Sequence, residues 1–195
     1  MSEFWLYLKL GLYHVLDWEA YDHTLFLITL TVAYTFDNWK RIFLLVTLFT
    51  LGHTTSLFLA AYDVVSVNSK LVEFLIPITI LLAAIFNVFN AGKMASKNKK
   101  IGILYATTLF FGLIHGLGFS SFFNAISSNV SSKILPLLEF ALGIELAQLI
   151  IVLIVLIISF VAQTFFRLSR RDWILVISSI VIGMTIPMII SNNIW

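Results

Sequence analysis

Long apolar runs, each about the length of a membrane-spanning helix, are the feature that most constrains this chain. A helix needs roughly 20 residues, at about 1.5 Å per residue, to cross about 30 Å of hydrocarbon. Of the 195 residues, 60% are hydrophobic and only 11% are charged, and the mean hydropathy is +1.01. No water-soluble domain of this size needs such a balance. The sequence therefore predicts an all-α, polytopic transmembrane helix bundle in which residues 1–195 form a single integral membrane domain.

Charged and Asn/Ser-rich breaks divide the apolar runs into about six predicted crossings. These cover residues 22–36, 42–62, 71–91, 101–126, 135–165 and 173–190. Residues 4–18 are apolar, but the stretch is short and contains Lys9. We expect an interfacial or half-buried helix there, and a seventh crossing at this place stays open as an alternative.

The basic residues are distributed unequally between the predicted loops. The first, third and fifth loops hold nine of the twelve Lys and Arg residues, namely Lys40, Arg41, Lys93, Lys97, Lys99, Lys100, Arg167, Arg170 and Arg171. Because Lys and Arg in short loops resist translocation, these loops are predicted to face inward and both termini outward. A bacterial inner (cytoplasmic) membrane is the expected location. The net charge of +2 is not gathered into a basic face, so we expect no nucleic acid partner, and the oligomeric state is left open.

Histidine is the residue type that points to chemistry. The chain has no cysteine, so any metal must be held by nitrogen and oxygen ligands. The four histidines lie in or beside the predicted crossings: His14, His23, His53 and His115. Counted at 1.5 Å per residue from Arg41 and Lys100, His53 and His115 lie about 18 and 22 Å from the inner face. Ionisable groups at such depth are costly and usually functional, although each histidine alone could simply bond a neighbouring carbonyl.

Carboxylates on two of the crossings extend this candidate metal site. Asp22 and His23 are adjacent, so both can face one site only where a helix starts, and Asp22 could equally be a plain N-cap. Glu145 is expected at middle depth, with Gln148 one turn further to orient it, whereas Glu139 is expected at the accessible rim. The full set of predicted ligands is His14, Asp17, Asp22, His23, His53, His115 and Glu145, with Glu73, Ser120 and Gln148 as supporting polar residues.

Several segments resemble a known family. They are GLYHVLDWEAYDHTLFLITL, FTLGHTTSLFLAA, FGLIHGLGFSS and GIELAQL, and together they are similar to the HupE/UreJ family of hydrogenase- and urease-accessory membrane proteins. The most specific pieces are the Asp22-His23 pair and the HGLGF run at residues 115–119. The resemblance implies a nickel or related metal permease whose motif residues fall on the four histidines, Asp17, Glu73, Glu145 and Gln148. One departure is that residues 18–21 lack the glycine that commonly precedes the Asp-His pair.

Two functions fit these residues. A permease would take a divalent transition metal, nickel or zinc, from outside, bind it at His23, His53, His115 and carboxylates, and pass it inward. An intramembrane zinc hydrolase would instead use Glu145 or Asp22 as a general base on a metal-bound water, with Ser120 or Ser121 helping to hold the oxyanion. Its substrate would be a lipid or a membrane-anchored peptide. A polar track through the inner half of the bundle favours transport, and a dry apolar plug favours the enzyme.

Overall fold

The structure is a computed structural model that describes residues 3–92, 101–128, 130 and 132–194. In this part of the chain there are eight α-helices, one 3-10 turn and no strand, so the all-α prediction is confirmed. The helices are α1 (Glu3–Leu16), α2 (Asp22–Thr31), α3 (Trp39–Ala61), α4 (Ser69–Asn90), α5 (Ile101–Gly118), α6 (Ser120–Ile126), α7 (Ile134–Thr164) and α8 (Arg170–Ser191), and the 3-10 turn is Phe36–Asn38. Residues 93–100, to which the inner-loop prediction refers, lie outside the described residues.

The length and apolar character of the helices agree with an integral membrane protein. Four helices among the described residues could each cross a bilayer: α3 with its preceding 3-10 turn, α4, α7 and α8. The pair α5 and α6 is bent by 51° and makes a fifth span when counted as one. The predicted crossing at residues 101–126 is therefore a broken helix rather than a straight one.

The first predicted crossing is shorter than expected. The sequence predicts a crossing over residues 22–36, but α2 has only 10 residues, which is about 15 Å and half of the hydrocarbon thickness. After α2 the chain turns, and Thr35 adopts an extended backbone where a capping box with Asn38 starts the next helical segment. The Ala33 carbonyl lies beyond the end of α2 and accepts a hydrogen bond from Arg170, so this oxygen has a partner at the turn. Crossing 22–36 is thus a half-length helix followed by a turn.

Glycines allow two helix pairs to pack with their backbones in contact. Gly52, Gly112 and Gly116 lie where α3 meets α5, and Gly11 and Gly143 lie where α1 meets α7. A Cβ on any of these five glycines would collide with a backbone carbonyl of the facing helix. Small residues at such contacts let transmembrane helices approach closely. This packing fixes α1 against α7, and it fixes α3 against α5.

The contact between α3 and α5 predicts a strong effect of a single methyl group. Gly112→Ala would push a Cβ into the Phe49 carbonyl, so we expect a loss of about 1–3 kcal/mol or more in unfolding free energy. Gly183→Ala is the matched control, because a Cβ at Gly183 meets nothing within 4 Å. Thermal unfolding of both variants in detergent measures the difference. Equal stability of Gly112→Ala and Gly183→Ala would contradict the described helix contact.

Candidate metal site

Four histidines from four helices meet at one place in the bundle. His14 comes from the last turn of α1, His23 from the first turn of α2, His53 from α3 and His115 from α5. The ring centre of His23 lies 4.7 Å from that of His14, 5.7 Å from that of His53 and 5.3 Å from that of His115. His53 and His115 are at most 1% exposed. The structure therefore brings together all four histidines that the sequence singled out.

Three of the histidines have the spacing of metal ligands. One ring nitrogen each from His14, His23 and His53 lies within 4.8 Å of the other two. Two imidazole nitrogens on one ion, each about 2.1 Å from it, are at most about 4.2 Å apart. The three rings therefore need only a small inward adjustment to share an ion. His115 lies beside this group, and no carboxylate belongs to it among the described residues.

All four histidine rings carry unpaired nitrogens. The Nε2 atom of each histidine is buried and has no hydrogen-bond partner in the described part of the chain, and the same holds for Nδ1 of His53. Buried polar atoms are normally paired, because leaving one unpaired costs about 1–3 kcal/mol. Five such nitrogens on four neighbouring histidine rings indicate that the site binds a ligand. A transition metal ion is the partner that several imidazole lone pairs can share.

Two hydrogen bonds set the tautomers that metal binding requires. Nδ1 of His23 lies 3.0 Å from Oδ1 of Asp22, and Nδ1 of His115 lies 2.8 Å from the Phe111 carbonyl oxygen. An ionised carboxylate and a carbonyl can only accept, so Nδ1 carries the proton in both rings. The Nε2 atoms of His23 and His115 then present lone pairs to the site. Carboxylates and carbonyls play this orienting part behind many metal-bound histidines.

Asp22 is placed to orient His23 rather than to cap the helix before it. Asp22 is the first residue of α2, and the capping position belongs to Tyr21, whose side chain makes no cap bond. The Asp22 carboxylate also accepts a 2.8 Å bond from the backbone N–H of His23. One oxygen atom therefore holds both the backbone and the ring of its neighbour. The helix start predicted from the sequence is what allows this arrangement.

Aromatic rings enclose the histidines. Phe119 lies 4.0 Å from His14, Phe49 lies 5.1 Å from His115, and Phe26 lies 5.4 Å from His115, measured between ring centres. Phe119 also stacks on Phe140. These rings keep water away and lower the local dielectric, so the charge of a bound cation would need a compensating anion. The adjacent Asp22 carboxylate is the group that can supply it.

Glu145 and Gln148, predicted on the fifth crossing, lie apart from the histidines. The Glu145 carboxylate accepts a 2.7 Å bond from the hydroxyl of Thr47, and Gln148 pairs at 3.2 Å with Thr50. Thr47 lies about 9 Å along α3 from His53. The expectation of an accessible rim at Glu139 is wrong: that residue is buried and Glu145 is the half-buried one, in a region where α1 covers α7.

Asp17, Glu73 and Ser120 also lie outside the histidine group in the described structure. Because α1 ends at Leu16, Asp17 is exposed in the following loop, where it accepts a 2.9 Å bond from the Glu19 backbone, and the predicted helix face shared with His14 does not form. Glu73 is exposed on α4. The Ser120 hydroxyl donates to the carbonyl of Leu117 at 2.7 Å, so it serves the bend between α5 and α6.

Sequence reasoning missed one part of the site and underrated another. The Phe111 carbonyl that orients His115 carries no residue-type signal, because any residue four positions earlier on a helix offers the same oxygen. The permease hypothesis did not include His14 among its ligands, yet His14 lies 5.6 Å from His53 between ring centres and belongs to the ligand group. The clue for His14 was Gly11, one turn before it, which brings α1 against α7.

The fold and the site define a class before any comparison is made: an integral membrane protein with a buried histidine group able to hold a metal ion. The chain belongs to the HupE/UreJ family, because the family model described as HupE / UreJ protein matches residues 1–192. No curated protein and no solved structure shows significant similarity to the chain.

Proposed function

We propose that this protein is a permease that binds a divalent transition metal at the histidine group and carries it across the membrane. The observation that supports this most directly is the meeting of four histidine rings from four helices, each with a buried and unpaired Nε2 atom. Imidazole ligands with a nearby carboxylate suit nickel, zinc, cobalt or iron. The HupE/UreJ resemblance, with its association with hydrogenase and urease, favours nickel as the substrate among these.

The position of the site along α3 supports uptake from the outside. His53 lies about 21 Å from Trp39 and about 12 Å from Ala61 along the helix axis. Lys40 and Arg41 stand at the Trp39 end, which the distribution of basic residues places on the inner face. We therefore place the histidine group nearer the outer face, with both termini outside, in a bacterial inner membrane. Residues 17–20, in the loop before α2, are exposed and lie between His14 and His23 in the sequence.

Polar pairs beyond the histidines favour transport over hydrolysis. Thr50 with Gln148, and Thr47 with Glu145, link α3 to α7, and both threonines lie on the Lys40 side of His53. The hydrolase alternative has less support, because the Glu145 carboxylate bonds Thr47 and does not contact the histidine group. Asp22 is engaged by His23, and the Ser120 hydroxyl is engaged by a carbonyl.

Uptake into proteoliposomes tests the proposal. Vesicles that contain the purified protein and a metal-sensitive dye should fill with Ni²⁺ faster than protein-free vesicles, and His23→Ala should remove most of this difference. Glu73→Gln is the matched control, because Glu73 is exposed and lies outside the histidine group. Stoichiometric metal binding without any uptake of nickel, zinc, cobalt or iron would exclude the permease.

A further inference from the structure

The contact between α3 and α7 carries a second group of polar side chains. Thr47 donates to Glu145, and Thr50 lies 3.2 Å from the Gln148 side-chain oxygen, one helical turn further on both helices. Gln148 is 0% exposed, and its Nε2 atom has no partner among the described residues. A buried amide with an unpaired atom calls for a ligand or another orientation.

The hydrogen bonds around Thr50 favour the other orientation of the amide. The Thr50 hydroxyl is 3.2 Å from the Val46 carbonyl as well as from Gln148, and it has only one hydrogen to donate. When the amide is turned by 180°, Nε2 of Gln148 donates to Thr50, and Thr50 donates to Val46. Thr50 then both accepts and donates a hydrogen bond, and a network of this kind decides the orientation of an amide. The Gln148 carbonyl oxygen is then buried with no donor among the described residues, so it is free to bind a cation.

We propose that Glu145, Gln148, Thr47 and Thr50 form a second metal station that uses oxygen ligands only. It rests on the proposed function, because it is where an ion released by the histidines binds next. The station begins one turn from His53 on α3 and continues toward the Lys40 end. Glu145 supplies its negative charge, as Asp22 does at the histidine group.

The two donor sets imply a direction of movement. Imidazole nitrogen suits nickel and zinc, whereas carboxylate, carbonyl and hydroxyl oxygens suit harder ions such as Mn²⁺ or Mg²⁺. A late transition metal is therefore held more weakly at the oxygen station than at the histidines. Conduction needs a last site weak enough to let the ion leave. The order of the two stations along α3 would favour release on the inner side.

Electron paramagnetic resonance with Mn²⁺ tests the second station directly, on the full chain in lipid nanodiscs. The wild type should bind two equivalents, one with nitrogen hyperfine coupling from imidazole and one without it. Glu145→Gln and Gln148→Leu should each weaken the equivalent without nitrogen coupling by at least about 10-fold. His53→Ala should remove the nitrogen-coupled equivalent and keep the other.

Glu139→Gln is the matched control, because Glu139 is a carboxylate on the same helix outside both groups, and it should keep both equivalents. A single equivalent in the wild type would overturn the station, as would a second equivalent that persists in both Glu145→Gln and Gln148→Leu. The outcomes separate the two proposals. Two equivalents without vesicle uptake would exclude the permease alone, whereas uptake with one equivalent would exclude the station alone.

Discussion

His53→Ala is expected to weaken binding of Ni²⁺ by more than about 100-fold, because loss of even an orienting neighbour costs about 10- to 100-fold. His53 is 0% exposed, both of its ring nitrogens are unpaired among the described residues, and it belongs to the ligand group. Calorimetric titration of the purified protein, with metal analysis of the eluted fraction, measures the loss.

Thr55→Val is the matched control for His53→Ala, because Thr55 is exposed on the same helix. Size-exclusion profiles of both variants establish that each is folded. Stoichiometric nickel in folded His53→Ala would place the metal site elsewhere in the protein.

Asp22→Asn is expected to weaken Ni²⁺ binding by about 10- to 100-fold while leaving the fold intact. Asparagine keeps the shape and can still accept a bond from Nδ1 of His23, but it lacks the charge that strengthens this bond and offsets the charge of the ion. The same titration, repeated for a protein with Glu19→Gln, separates this local effect from general surface charge, because Glu19 is exposed in the neighbouring loop. Equal losses in the two variants would mean that Asp22 acts only through long-range charge.

Much of the fold follows from the sequence because bilayer thickness dictates the length of apolar runs. The early end of α2 does not follow, since residues 24–34 are an unbroken apolar and threonine stretch. Its end depends on a capping box between Thr35 and Asn38 and on a hydrogen bond from Arg170. Arg170 is remote in the sequence, so local pattern could not reveal this contact.

The residue types of the candidate site and their depth in the membrane could be predicted from the sequence. The side of each helix on which they lie could not. Counting residues along the helices put His53 and His115 at similar depth, and the structure brings both to one place with His23. The same counting gave a depth for Glu145 but not the side of α7 on which it lies, and that side faces Thr47. Rotation about a helix axis depends on the packing partners, which hydropathy does not encode.

The glycine contacts define two helix pairs, and three of the histidines are distributed between them. His53 and His115 stand on the pair formed by α3 and α5, whereas His14 stands on α1, which is held against α7. Because each pair is joined backbone to backbone, movement within a pair is more restricted than movement of one pair against the other. A metal ion bound by both His14 and His53 would link the two helix pairs, and its release would remove that link.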